Sequence, residues 1–118
     1  LLLAENTTIK LEGFENYNTF TKQWCQEKAN QYKHSGPITA HIFVSPEAGF
    51  SFKAHTDPDN VLLVVVDGKK TMEIDGVHVT IETGCEHYMP TNTVHKATNH
   101  HYSVMISLGL EQWIRDKL

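Results

Sequence analysis

Three side chains in this sequence have the types and spacing to hold a metal ion: His55, Asp57 and His95. His55-Thr56-Asp57 sets an imidazole and a carboxylate two residues apart. On an extended strand such residues project from one face, so both aim at one point. The third ligand has to come from another strand. His95 is best placed, because it follows the turn Pro90-Thr91-Asn92 and opens a new extended run. Two imidazoles and one carboxylate on one face of an octahedral ion leave three open positions, the ligand set of non-haem Fe(II) oxygenases. The same donors accept Mn, Ni, Co or Zn. A His-x-Asp pair by itself is weak evidence, since strands carry such pairs without any metal. The remaining histidines read as bystanders: His34 at a helix end, His100-His101 in a turn and His78 on an outward strand face. His41 and His87 lie on strands from which they can approach a pocket.

The elements that position these residues follow from the hydrophobic period. Up to about Ser35 the chain reads as mostly helical. Asn18 or Thr19 serves as cap, with Phe20, Trp24, Cys25, Ala29 and Tyr32 near one face. Ser35-Gly36-Pro37 stops the helix. From Ile38 the period becomes two. Extended runs are expected over 38–44, 50–57, 61–66, 69–74, 77–82, 86–89, 93–98 and 102–108. The run Val61–Val66 is apolar throughout, as in a strand covered on both faces. Asp67-Gly68 is expected to reverse the chain, and Asp75-Gly76 is a strong two-residue hairpin signal. A short helix over 110–118 closes the chain. Many short strands with frequent turns argue for an antiparallel sandwich or barrel. The expected organisation is one domain over 1–118: a mostly helical segment over 1–36, a barrel over 37–109 and the terminal helix.

The spacing around the three ligands resembles the cupin family. Its first motif is G(X)5HXH(X)3–4E(X)6G. Here Gly49 precedes His55 by the required interval, Asp57 stands at the second His and Gly68 closes the motif. The second motif is G(X)5PXG(X)2H(X)3N, and Gly84, Pro90, His95 and Asn99 fall in register. Val61 or Leu62 stands where a Glu ligand would be. Asn92 replaces a Gly and tolerates the left-handed turn. The resemblance implies a mainly β fold, a double-stranded β-helix (jelly-roll, cupin barrel). The His-x-Asp pair with a distal His and no Glu resembles the JmjC-like branch, the Fe(II)- and 2-oxoglutarate-dependent oxygenases. That branch oxidatively decarboxylates 2-oxoglutarate to succinate and CO2 while hydroxylating a substrate C–H bond. In it a Lys just after the Gly turn holds the distal carboxylate of 2-oxoglutarate, and Lys70 occupies that position. Strand alternation agrees: Lys70, Met72 and Ile74 share the apolar, inward face. An ammonium buried there needs an anionic partner. Ser107 resembles the position that helps hold the co-substrate carboxylate. Tyr88, before the Pro turn, reads as a packing residue. A cupin metalloenzyme that does not use 2-oxoglutarate, and a non-catalytic module that binds a metal or small ligand, are the alternatives.

Composition bounds the rest. The 118 residues carry a formal net charge of −4, which argues against a nucleic-acid partner, whose footprint is usually basic. No stretch approaches the roughly 20 apolar residues of a membrane span. The start, Leu1-Leu2-Leu3-Ala4, lacks the basic flank of a signal peptide, and the lack of an initiator Met leaves the native N-terminus open. Cys25 and Cys85 form no CxxC pattern and read as free thiols. A cytoplasmic protein, with a small-molecule or peptide substrate and a homodimeric assembly through sheet edges, is the expectation.

Overall fold

A computed structural model describes residues 7–49 and 52–111. The elements are β1 (Ile9–Glu12), a 3-10 turn (Phe14–Asn16), α1 (Thr19–Gln31), β2 (Ile38–Ser45), β3 (Asn60–Ile74), β4 (Val77–Glu82), β5 (Glu86–Met89), β6 (His95–Ala97) and β7 (Ser103–Leu110). The fold is a mainly β, antiparallel jelly roll with strand order β1-β2-β7-β3-β4, β5 and β6 also pairing with β3.

The helix forms where its cap demands it. Asn18 Oδ1 accepts from the Thr21 amide at 2.8 Å, and Thr21 Oγ1 accepts from the Asn18 amide at 3.1 Å. This reciprocal box satisfies two amides that a helix start would otherwise leave orphaned. Cys25 packs with Ala40, Leu62, Val64, Ile106 and Leu108 under the helix, and Ala29 is fully buried on it. Phe20, expected on this face, is instead exposed. The odd residues of β3, Val61, Leu63 and Val65, turn the other way and join Met72, Ile74, Met89 and Met105 inside the barrel. This strand is therefore covered on both faces from Val61 to Val65, whereas Val66, at the end of the expected apolar run, is 45% exposed.

The sequence expectations are corrected in four places. The segment before the helix is not all helical: β1 pairs with β2, Lys10 opposite Phe43 and Glu12 opposite His41. Residues 52–54 and 56–59 are irregular, so His55 and Asp57 stand on a loop, tied in by a single bridge between His55 and His95. Asp67-Gly68 does not reverse the chain. β3 runs on through it, pairing with β5 and β7 before it and with β4 and β6 after it, with a register irregularity between Val65 and Asp67. Gly68 has φ +70°, and a Cβ there would lie 2.1 Å from the Tyr102 carbonyl oxygen, so its left-handed conformation serves a bulge that bends one strand across two sheets. Leu110 belongs to β7 rather than to a helix, and residues 112–118 of the expected terminal helix lie outside the described residues. The Asp75-Gly76 hairpin between β3 and β4 is as expected, both residues having positive φ. Among the described residues no helix is long and apolar enough to cross a membrane.

Candidate metal centre

The loop carrying His55 is stitched to the strand carrying His95. Each backbone amide donates to the other's carbonyl at 3.0 Å. The Asn92 amide donates to the Asp57 carbonyl at 2.9 Å, and Asn92 takes the left-handed φ of 62° expected of it. A loop and a strand far apart in sequence thereby meet at one point. His95 Nε2 lies 3.2 Å from Asp57 Oδ2, and His55 Nε2 lies 4.0 Å from Asp57 Oδ1. The three ligand atoms all fall within 4.8 Å of one another. His95 is buried, whereas His55 and Asp57 are 44% and 40% exposed in their side chains. The centre therefore has a fixed inner wall and an open outer one.

The tautomers fit a metal. His55 Nδ1 faces the Lys53 carbonyl at 2.8 Å, and His95 Nδ1 faces the Thr93 carbonyl at 2.9 Å. A carbonyl only accepts, so each ring carries its proton on Nδ1 and turns the Nε2 lone pair toward the centre. This second layer of hydrogen bonds is what a histidine ligand needs to hold its orientation and basicity. Two ligands at right angles around an ion at ~2.1 Å stand about 3 Å apart, close to the His95–Asp57 separation. The residues present fit a divalent ion.

These ligands border a cavity of about 610 Å³ whose walls include His41, Phe43, Phe52, Lys70, Met105 and Ser107. Lys70 is 1% exposed, and Met72 and Ile74 share its inward face, as strand alternation predicts. Its Nζ donates to Asn99 Oδ1 at 2.8 Å and to Ser45 Oγ at 3.0 Å. Both acceptors are neutral. Lys10, Lys28, Lys69 and Lys96 each meet a glutamate, but among the described residues Lys70 meets no carboxylate. Burial pushes its ammonium down from 10.5 to about 8. Ser103, opposite Ser45 in the β2–β7 register, is fully buried, and its Oγ has no hydrogen-bond partner among the described residues.

The structure brings His55, Asp57 and His95 together and sets Lys70 and Ser107 in the same cavity. Ser107 is not at the Lys70 ammonium; it lies opposite His41 on β2 and Leu63 on β3. Sequence reasoning missed Ser45 and the cavity role of Lys10. Ser45 looked like the start of a turn, and Lys10 was assigned to a helix. Asn99 was visible only as a motif position. Tyr88 packs as expected, stacked on Tyr32 with ring centroids 5.4 Å apart. His78, His100 and His101 are exposed.

Two imidazoles and a carboxylate converging at the edge of a cavity define a jelly-roll barrel with a donor set able to hold a metal ion. The chain belongs to the cupin domain family, whose model matches residues 41–108. No curated protein matches it in sequence. Among solved structures it is similar in fold to a cupin superfamily protein from Desulfitobacterium hafniense, at 12% identity over 93% of this chain and 83% of that one, TM-score 0.64. A conserved protein of unknown function from Streptococcus pyogenes is similar at 11% identity over 93% and 79%, TM-score 0.64. KdgF from Halomonas sp. is similar at 22% identity over 72% and 77%, TM-score 0.57. At such identities the likeness shows the fold alone.

Proposed function

We propose that this cupin is an Fe(II)- and 2-oxoglutarate-dependent oxygenase, with His55, Asp57 and His95 as metal ligands. The observation that carries the reading is Lys70: a buried ammonium without a carboxylate partner among the described residues, on the wall of the cavity that the metal ligands border. A buried charge is stable only when paired or well hydrogen-bonded. Ser45 and Asn99 supply two neutral hydrogen bonds and leave the charge uncompensated. A dicarboxylate with one end at the metal and the other at Lys70 supplies the missing anion.

When bound, the Fe(II) ion supplies the dioxygen chemistry, with the organic co-substrate as its source of electrons. The protein's own groups hold and orient. The Lys53 and Thr93 carbonyls fix the ligand tautomers. Lys70 receives the distal carboxylate, and Ser107 offers a neutral hydrogen bond from β7. Phe43, Met72, Met89 and Met105 keep the interior apolar, which strengthens the charge pairing there.

The test is titration of 2-oxoglutarate into Fe(II)- or Mn(II)-loaded protein without oxygen, followed by aerobic assay for succinate. Binding and iron-dependent succinate formation are expected. Replacing Lys70→Met should weaken 2-oxoglutarate binding about 10- to 100-fold, the worth of a charge-assisted hydrogen bond. No binding at millimolar concentration removes the reading and leaves a cupin that uses its metal site without this co-substrate.

A further inference from the structure

The charges on the cavity wall cancel once the proposed metal and co-substrate are in place. Lys10 is offset by Glu12 at 3.2 Å. Lys53 and Asp59 are of opposite sign, and so are Lys70 and Asp57. A divalent ion adds two positive charges and a dicarboxylate two negative ones. With the histidines counted as neutral, the loaded cavity carries no net charge. A charged substrate would enter this space without a counter-charge and lose hydration that nothing on the wall replaces. An uncharged one escapes that cost.

The apolar part of the wall has a character of its own. The chain has three methionines, and all of them, Met72, Met89 and Met105, are buried and line this cavity. Thioether sulfur is polarizable and makes favourable contacts with aromatic rings. Two phenylalanines stand on the same wall. Phe43, opposite Met105 in the β2–β7 register, packs against the barrel core. Phe52 meets it edge to face, with ring centroids 6.3 Å apart and 83° between the planes. Phe52 is 56% exposed and lies three residues before His55, so a phenyl ring borders the cavity on the loop that carries two metal ligands. A ring bound there covers that exposed apolar surface and finds aromatic and sulfur partners together.

We propose that the substrate is a small uncharged molecule with an aromatic ring, the ring received by Phe43, Phe52 and the three methionines. The charge balance rests on the metal and 2-oxoglutarate reading; the aromatic contact does not. Protein loaded with Mn(II) and 2-oxoglutarate, without oxygen, is titrated by calorimetry with benzyl alcohol, benzylammonium, benzenesulfonate and cyclohexylmethanol. Benzyl alcohol should bind at least about tenfold more tightly than either ion. It should bind about fivefold more tightly than cyclohexylmethanol, the worth of aromatic and sulfur contacts beyond area alone. The double variant Phe52→Leu, Met105→Leu should bring that ring preference close to one. Phe52 is exposed and Met105→Leu nearly conserves volume, so the fold is spared, and unchanged Mn(II) affinity checks this. If 2-oxoglutarate does not bind, the co-substrate reading falls alone, and the ring preference in Mn(II)-loaded protein then decides this one. Binding of either ion as tight as that of the alcohol in the presence of bound 2-oxoglutarate would overturn the proposal. So would equal binding of cyclohexylmethanol, an undiminished ring preference in the double variant, or no binding of benzyl alcohol at millimolar concentration.

Discussion

At the scale of the residue, the centre depends on which nitrogen of each imidazole is free. The Lys53 and Thr93 carbonyls fix that choice for His55 and His95. Asp57 contributes the only carboxylate of the triad, so Asp57→Ala removes both a ligand and the negative charge that offsets the ion. Metal affinity should fall by at least about two orders of magnitude, read by competition with a chromophoric chelator. Lys70 sets a pH dependence with a definite sign. Its pKa is lowered in the fold, from 10.5 to about 8. Between those values the unfolded chain binds the proton and the folded one does not, so folded-state stability rises as pH goes from about 8 to 10.5. Below pH 8 the folded protein carries the full cost of a buried ammonium, on the order of 3 kcal/mol. Chemical denaturation of metal-free protein at several pH values should show this gain, and Lys70→Met should lack it. In the proposed complex the same ammonium is the anchor, so 2-oxoglutarate affinity should decline as pH rises above about 8.

At the scale of the element, β3 does most to shape the molecule. It is one strand in two sheets, and the bend between them depends on Gly68. Gly68→Ala combines a positive φ with a Cβ driven into the Tyr102 carbonyl. Loss of more than about 2 kcal/mol of stability is expected, measured by urea unfolding. The helix is fastened to the barrel at its C-terminal half. Lys28 Nζ and Tyr32 OH both reach the Glu86 carboxylate on β5, the tyrosine at 3.0 Å. Glu86→Ala should cost about 1–3 kcal/mol, because a half-buried ammonium and a phenol lose their acceptor. The second element that reads unlike its sequence is the loop 52–59. Its residues alternate as a strand would, yet only His55 makes a bridge, to His95. Freedom from a ladder lets His55 and Asp57 lean toward the strand that carries His95.

At the scale of the whole molecule, the barrel separates two environments. The helix-side layer under α1 is apolar, whereas the interior holds Lys70, Asn99, Ser45 and Ser103 at full burial among methionines and branched side chains. Buried polar groups of this kind are costly unless satisfied; Lys70 bonds Ser45 and Asn99, and of the four it is Lys70 that lines the cavity. Metal binding to the folded state alone adds stability by mass action. At a metal concentration a hundredfold above its dissociation constant, about 2.7 kcal/mol of stabilisation is expected. It should appear as a rise in melting temperature that a chelator reverses and that Asp57→Ala lacks.

Much of this was legible in the sequence, for identifiable reasons. The period-two alternation, the Asp75-Gly76 turn and the inward face of Lys70 are local properties, set by backbone geometry within a few residues. The candidate ligands His55, Asp57 and His95 were legible from the spacing of two motifs around them rather than from the His-x-Asp pair alone. The neighbours of Lys70, the bulge at Gly68 and the strand β1 were decided only by tertiary structure. Ser45 and Asn99 are 25 and 29 residues from Lys70 along the chain and meet it only because β2, β3 and the turn after β6 are brought together in the fold. A Gly after an Asp marks a left-handed residue in either a hairpin or a bulge, and only the available partner strands decide between them. That the His41 Nδ1 has no partner among the described residues is likewise a fact about what surrounds it, which no local pattern encodes.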